Sequence, residues 1–336
     1  MDKLIEYPKL IKRILTEYIE LCDRSSQQDI ETFLIADEQN GGLVLNSIFV
    51  SGVISSLSRV GLRGATATAE TIVKEIQTKY EAGERSLTVD TNIYNALVHC
   101  WAKSGEIEAP FRAEEILQLM EDEASKGNKK VKPNVQTYTS VADCWAKSTD
   151  LDAGDRAEAI LHRMRVPPSV HTYTTVIQAF ARSQHPDKAL RAQAVLQRMK
   201  DDFRIAKNPD AQPTIVAYNA LMNACEFTFG DIHDVEQAFK VACLAFDEMR
   251  SAPDLKMDHV TYGSFLGVIN ELMPKSDIRN EMVQLVFKRC CSDGQLGSLT
   301  LKKLKETAGP ALYRDCLNGI REDNFPASWS CNVCEK

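Results

Sequence analysis

Two columns of polar side chains recur at matching places along this chain. Ser51, Asn95, Thr139, Thr174 and Asn219 each follow directly on the first residue of an apolar stripe. Eight residues beyond the first four of them stand Arg59, Lys103, Lys147 and Arg182. Hydroxyl and amide groups on short side chains offer a donor and an acceptor close to the backbone, suited to hydrogen-bonding the polar edge of a planar ligand. Evenly spaced cations suit a polyanion whose charges repeat at regular steps. Each column also has a plainer reading. Asn, Ser and Thr early in a helix bond nearby backbone groups, and Lys or Arg in a last turn compensates the helix dipole.

Other reactive side chains fit no catalytic pattern. Cys331 and Cys334 form a Cys-x-x-Cys pair, but a structural zinc needs two further ligands, and the nearby thiols are Cys290, Cys291 and Cys316. The expectation is no metal, with reduced thiols on a flexible tail. His99, His162, His171, His185, His233 and His259 show no metalloprotease, deaminase or triad spacing, and His99 and His171 read as binding-face residues. There is no Gly-rich phosphate loop. Glu114, Glu115 and Glu158 fall on solvent faces. Lys126, Lys129, Lys130 and Lys132 cluster in a connection, where solvation is the plain explanation and contact with a polyanion the functional one. No catalytic residue and no cofactor are expected.

The elements that must position these columns follow from periodicity. Tyr94, Leu97, Val98 and Trp101 stand at i, i+3, i+4 and i+7, one buried face of a helix. The same offsets return from Val50, Tyr138, Tyr173, Tyr218 and Tyr262, at steps of 44, 44, 35, 45 and 44 residues. A second stripe follows each of the first five, as in Ala113, Ile116, Leu117 and Met120. The unit is a helix pair, and one pair cannot bury its own apolar face without a neighbour. Variable steps are absorbed in connections such as Glu121 to Lys132 and Lys200 to Pro213, each ending near a proline. The reading is an all-α superhelix, a right-handed solenoid of about five to six helix-turn-helix repeats. Its parts are an N-terminal helical cap over 1–46, with a helix around Leu10 to Cys22; repeats at 47–90, 91–134, 135–169, 170–214, 215–258 and 259–293; and capping helices and a tail over 294–336. Past Glu271 the stripe fades through Met282, Leu285 and Phe287, and Trp329 reads as exposed.

Composition narrows the function classes. The 336-residue chain is 44% apolar and 26% charged, ordinary for a folded protein, with a net charge of −7 that argues against bulk electrostatic coating of nucleic acid. Ten scattered cysteines suit a reducing compartment rather than a disulfide framework. No apolar run reaches membrane-spanning length, so no membrane partner is expected. Asp2, Glu6, Glu17 and Glu20 are wrong for a transit peptide or secretory signal.

The Thr-Tyr-Thr or Ala-Tyr-Asn-Ala-Leu starts, the Trp-Ala-Lys-Ser ends of first helices and the Ala-Glu-x-Ile-Leu-x-x-Met second helices resemble the pentatricopeptide repeat family. The likeness covers roughly residues 47–293, and the long repeats and Trp-Ser-Cys-Asn-Val tail look similar to algal, diatom-type members. The resemblance implies a solenoid that binds single-stranded RNA, one base per repeat, in organellar RNA processing, stability or translation. By family pattern the residue after the tyrosine reads the base together with the last residue of the repeat. Ser51 with Asp90 implies guanine, Asn95 with Asn134 a pyrimidine, and Thr139 with Ser169 a purine, adenine by preference. Thr174 with Thr214 implies a purine bias and Asn219 with Asp258 uracil, while Gly263 reads nothing. Arg59, Lys103, Lys147 and Arg182 would meet phosphates. Asn92, Gln136 and His171 stand where the family often has a base-sandwiching Val, and His171 is the candidate for stacking. Phe227 and Glu271 interrupt the basic column. Some family members carry an appended metallonuclease, and no segment outside the repeats is long enough for one. The implied protein is a monomer in the mitochondrion or plastid, with RNA-processing proteins as further partners; the acidic start, without a visible transit peptide, leaves a cytoplasmic protein or a truncated N-terminus as the alternatives. The alternative is an α-solenoid that binds proteins.

Overall fold

A computed structural model of the chain describes residues 47–60, 64–83, 88–318, 320 and 324–333. The expected N-terminal cap and Cys334 lie outside them. The described residues form fourteen α-helices with short 3₁₀ turns and no strand, an all-α fold consistent with a solenoid of helix pairs. The chain divides into two compact units, Met1–Pro133 and Asn134–Lys336.

The first unit holds α1 (Ser47–Val60), α2 (Ala65–Glu81), α3 (Thr91–Ser104) and α4 (Ala109–Ser125). Each second helix packs on its own first helix, and α1 lies directly against α3. Asp90 starts α3, its carboxylate accepting from the Asn92 and Ile93 amides at 3.0 Å. Such a cap contributes about 1 kcal/mol. Gly105, at φ +69°, stops the helix where a side chain would be strained. The stripes Tyr94, Leu97, Val98, Trp101 and Ala113, Ile116, Leu117, Met120 are buried, each large apolar side chain contributing about 1.5–3 kcal/mol.

The second unit holds α5 (Val135–Lys147), α6 (Ala153–Arg163), α7 (Val170–Arg182), α8 (Lys188–Arg204), α9 (Ile215–Glu226), α10 (Ile232–Ser251), α11 (His259–Leu272), α12 (Asp277–Ser292), α13 (Ser298–Thr307) and α14 (Pro310–Leu317). The first helices α5, α7, α9, α11 and α13 pack each on the next, forming one layer, with the second helices behind them. Asn134, Ser169 and Asp258 cap α5, α7 and α11 through capping boxes with Thr137, Thr172 and Thr261. Tyrosines tie the layers together. The Tyr173 hydroxyl donates to the Asp202 carboxylate at the end of α8, and Tyr262 donates to Asp293 just beyond α12.

Two expectations need correction. The repeat does not fade after Glu271: α12 completes a sixth pair with Val283, Val286, Phe287 and Cys290 buried at i, i+3, i+4 and i+7. Leu285 is 66% exposed, so the expected stripe was out of register with the true one. The tail is also no loose appendage with an exposed Trp. Trp329 is half-buried, edge-on to Phe287 at 5.8 Å and stacked near Phe325 at 5.7 Å, and its carbonyl accepts from the Leu296 amide at 2.7 Å. A lone Trp in a polar run gives no local sign of a partner forty residues back.

Candidate nucleic-acid interface

The column after the stripe's first residue sits between successive first helices. In the second unit the Thr139 hydroxyl lies 2.7 Å from that of Thr172, the third residue of α7, and donates to the Val135 carbonyl at 2.8 Å. Two repeats further on, Asn219 accepts from the Thr261 hydroxyl at 2.8 Å and donates to Asp258 at 3.2 Å. The Asn219 and Asp258 side chains, expected to act on one base, are thus in direct contact. Thr174 lacks such a partner because the third residue of α9 is Ala217; its hydroxyl turns back to the Val170 carbonyl at 2.7 Å. Asn219 and Thr174 are each 8% exposed, Thr139 is half-buried, and Thr214 caps α9 with no side-chain bond.

In the first unit Ser51 is half-buried and donates to the Ile48 carbonyl at 2.9 Å, while Asn95 is 4% exposed. Asp90, Asn134, Ser169 and Asp258, named as the repeats' last residues, are all helix caps. An Asn amide has two N–H donors and two lone pairs. Asn219 therefore keeps one of each after its bonds to Asp258 and Thr261.

The sixth position is closed. A Cβ at Gly263 would stand 2.9 Å from the Leu299 side chain of α13. Thr300, in the place of Thr172 and Thr261, finds no side chain opposite and donates to the His259 carbonyl at 3.0 Å. The bridging threonines, Thr172 and Thr261, were missed by sequence reading; their signal was the Ser or Asp three residues before each.

All four cations of the basic column are exposed near helix ends, but they are not equivalent. Lys147 pairs with Asp143 one turn back, and Arg182 donates to the Ala146 carbonyl at 3.0 Å, neutralising the C-terminus of α5. Arg59 and Lys103 make no hydrogen bond or ion pair among the described residues. His171 is exposed in the first turn of α7, and Val216, at the same place on α9, is 54% exposed. Phe227 is 58% exposed where the column would carry its next cation.

Among the described residues two clusters have the spacing of metal ligands, Asp152 with Asp155 and His185, and Asp231 with His233 and Asp234. Their carboxylates have structural work: Asp155 binds Arg191, while Asp231 and Asp234 form the capping box of α10. Burial raises the phenol of Tyr94 to about 12, and the Gln77 amide only partly offsets it. Tyr94 thus packs as a neutral phenol.

Residues 65–202 match the family described as the pentacotripeptide-repeat region of PRORP. That match supports a pentatricopeptide-type helical-repeat protein. Proteins of that family generally bind RNA. The description connects the matched region with an enzyme family, whereas the described residues show no catalytic domain. No curated protein matches the chain. Among the described residues no helix is long and apolar enough to cross a membrane.

Proposed function

We propose that this chain binds single-stranded RNA with sequence preference, without catalysis of its own, in organellar RNA processing, stability or translation. The observation that carries the reading is the register of the second unit. Direct packing of α5, α7, α9 and α11 brings Thr139, Thr174 and Asn219 to the same place on consecutive helices, with Lys147 and Arg182 at the far ends of the first two. Short donors and acceptors at one-helix steps match a ligand presenting one base edge per step, the mode by which helical repeats read an unpaired strand. The first unit offers Ser51, Asn95 and Lys103 in the same roles.

The test is binding of short RNAs of guanine-pyrimidine-purine-purine-uracil order against permuted controls. Asn95→Ala removes preference at the second nucleotide, and Lys103→Ala weakens all sequences alike and flattens the salt dependence. Folded protein that binds none of these RNAs at low salt overturns the reading. The scaffold alternative draws support from Asn219, whose partners within the protein occupy half its hydrogen-bonding capacity. Capture of a protein partner that survives ribonuclease treatment would favour it.

A further inference from the structure

Two connections in this chain fold to the same backbone but differ in charge. After α4, Gly127 takes φ +99°, Asn128 closes a 3₁₀ turn over Lys129–Val131, and Lys132 leaves extended at φ −63°, ψ 124°. After α8, Lys207 takes φ +57°, Asn208 closes a 3₁₀ turn over Pro209–Ala211, and Gln212 leaves at φ −61°, ψ 121°. In both, the Asn side chain accepts from the amide two residues on, at 3.3 and 3.2 Å, and one small apolar side chain, Val131 or Ala211, is buried. The turn thus needs the Asn, the apolar plug and the following proline. It does not need lysine, since Pro209, Asp210 and Gln212 fill the same positions in the other copy.

Lys129, Lys130 and Lys132 are exposed, and their ammonium groups pair with no carboxylate among the described residues. Acids close by are engaged: Glu123 takes Lys126, and Asp122 accepts from the Gln118 amide. The turn is held firmly, because the Thr91 hydroxyl bonds the Lys130 and Lys132 carbonyls at 3.0 and 2.9 Å. That anchor places the lysines at the N-terminal end of α3, beside the cap Asp90. Lys103 stands at the other end of that helix, about 18 Å away at ~1.5 Å per residue.

We infer that Lys129, Lys130 and Lys132 form a second phosphate-binding site, outside the basic column, for the backbone of the bound RNA strand. The inference rests on the RNA-binding reading above and extends it to a surface that reads no base. Three unpaired cations on a pinned turn lose little further freedom on meeting a polyanion, and each phosphate neutralised adds a salt-dependent increment without sequence information.

The experiment replaces the turn by its own counterpart, combining Lys129→Pro, Lys130→Asp and Lys132→Gln, with a triple Lys→Gln variant as a second form should the first not fold. Both are titrated with a labelled single-stranded RNA of about 15 nucleotides over ~50–200 mM salt. The expected result is an unchanged melting temperature and unchanged ranking of RNA sequences. Affinity should fall on the order of 10- to 100-fold at ~0.1 M salt, with a log–log salt slope shallower by about 2 for three phosphates on a single strand. Parent-like affinity and slope in a folded variant overturn the inference alone, provided the parent binds RNA. A parent that binds no RNA overturns the functional reading along with it.

Discussion

The Lys303 ammonium donates to the Glu226 carboxylate at 2.6 Å, joining α13 to α9 across 77 residues of sequence. Glu226 is 4% exposed, and room for its carboxylate exists because residue 267 of α11 is glycine; a Cβ there would stand 2.4 Å from it. Three helices therefore depend on one ion pair and one missing methyl group. Lys303→Met strands a buried carboxylate and is expected to cost about 3 kcal/mol, the low end for such pairs because Lys303 keeps some solvent contact. Gly267→Ala should cost about 1–3 kcal/mol by overpacking. Chemical denaturation of the two variants checks both values.

The same pair carries a pH dependence. Burial raises the Glu226 carboxyl above its ordinary range and outweighs the lowering by Lys303. A carboxyl held higher in the folded state binds its proton more tightly there. Its contribution is greatest below the ordinary value, about 4.3, and diminishes as pH climbs through the raised one. Thermal melts across the acid range should show Glu226→Gln gaining on the parent as pH rises.

Cations of the basic column should separate into two groups. Lys103→Ala is expected to leave the melting temperature unchanged and to alter only RNA affinity and its salt slope. Arg182→Ala also removes the bond to the Ala146 carbonyl and should lower stability by about 1 kcal/mol. Equal melting temperatures for the two variants would contradict this division.

Asn219→Ala leaves the Thr261 hydroxyl without its acceptor on α9, an expected loss of about 1 kcal/mol. If one N–H and one lone pair of this amide serve the fifth base, the variant also loses uracil preference, while Asn219→Asp weakens binding without restoring it. Competition between RNAs differing only at that nucleotide provides the measurement.

Thiol chemistry should report on packing. Burial pushes the Cys144 thiol up to about 12, with Asp143 adding to the shift, while Cys331 is exposed. At pH 8 an alkylating reagent should modify Cys331 in the folded protein and reach Cys144 only after denaturation, as mass mapping would show.

Periodicity alone revealed the helix pairs, because burial of one helical face is a local property repeated at Tyr94, Tyr138, Tyr173, Tyr218 and Tyr262. It located the polar column as well, since the residue after each tyrosine must leave the stripe. What that column touches was decided by packing of one first helix on the next: Thr139 on Thr172, and Asn219 on Thr261 and Asp258. Those contacts join residues 33 to 42 positions apart, and no local pattern encodes them. The docking of Trp329, the closure of Gly263 by Leu299 and the reach of Lys303 to Glu226 have the same origin. Apolar spacing fixes which face of a helix is buried; which helix covers it, and which polar groups then meet, is settled only when the pairs stack.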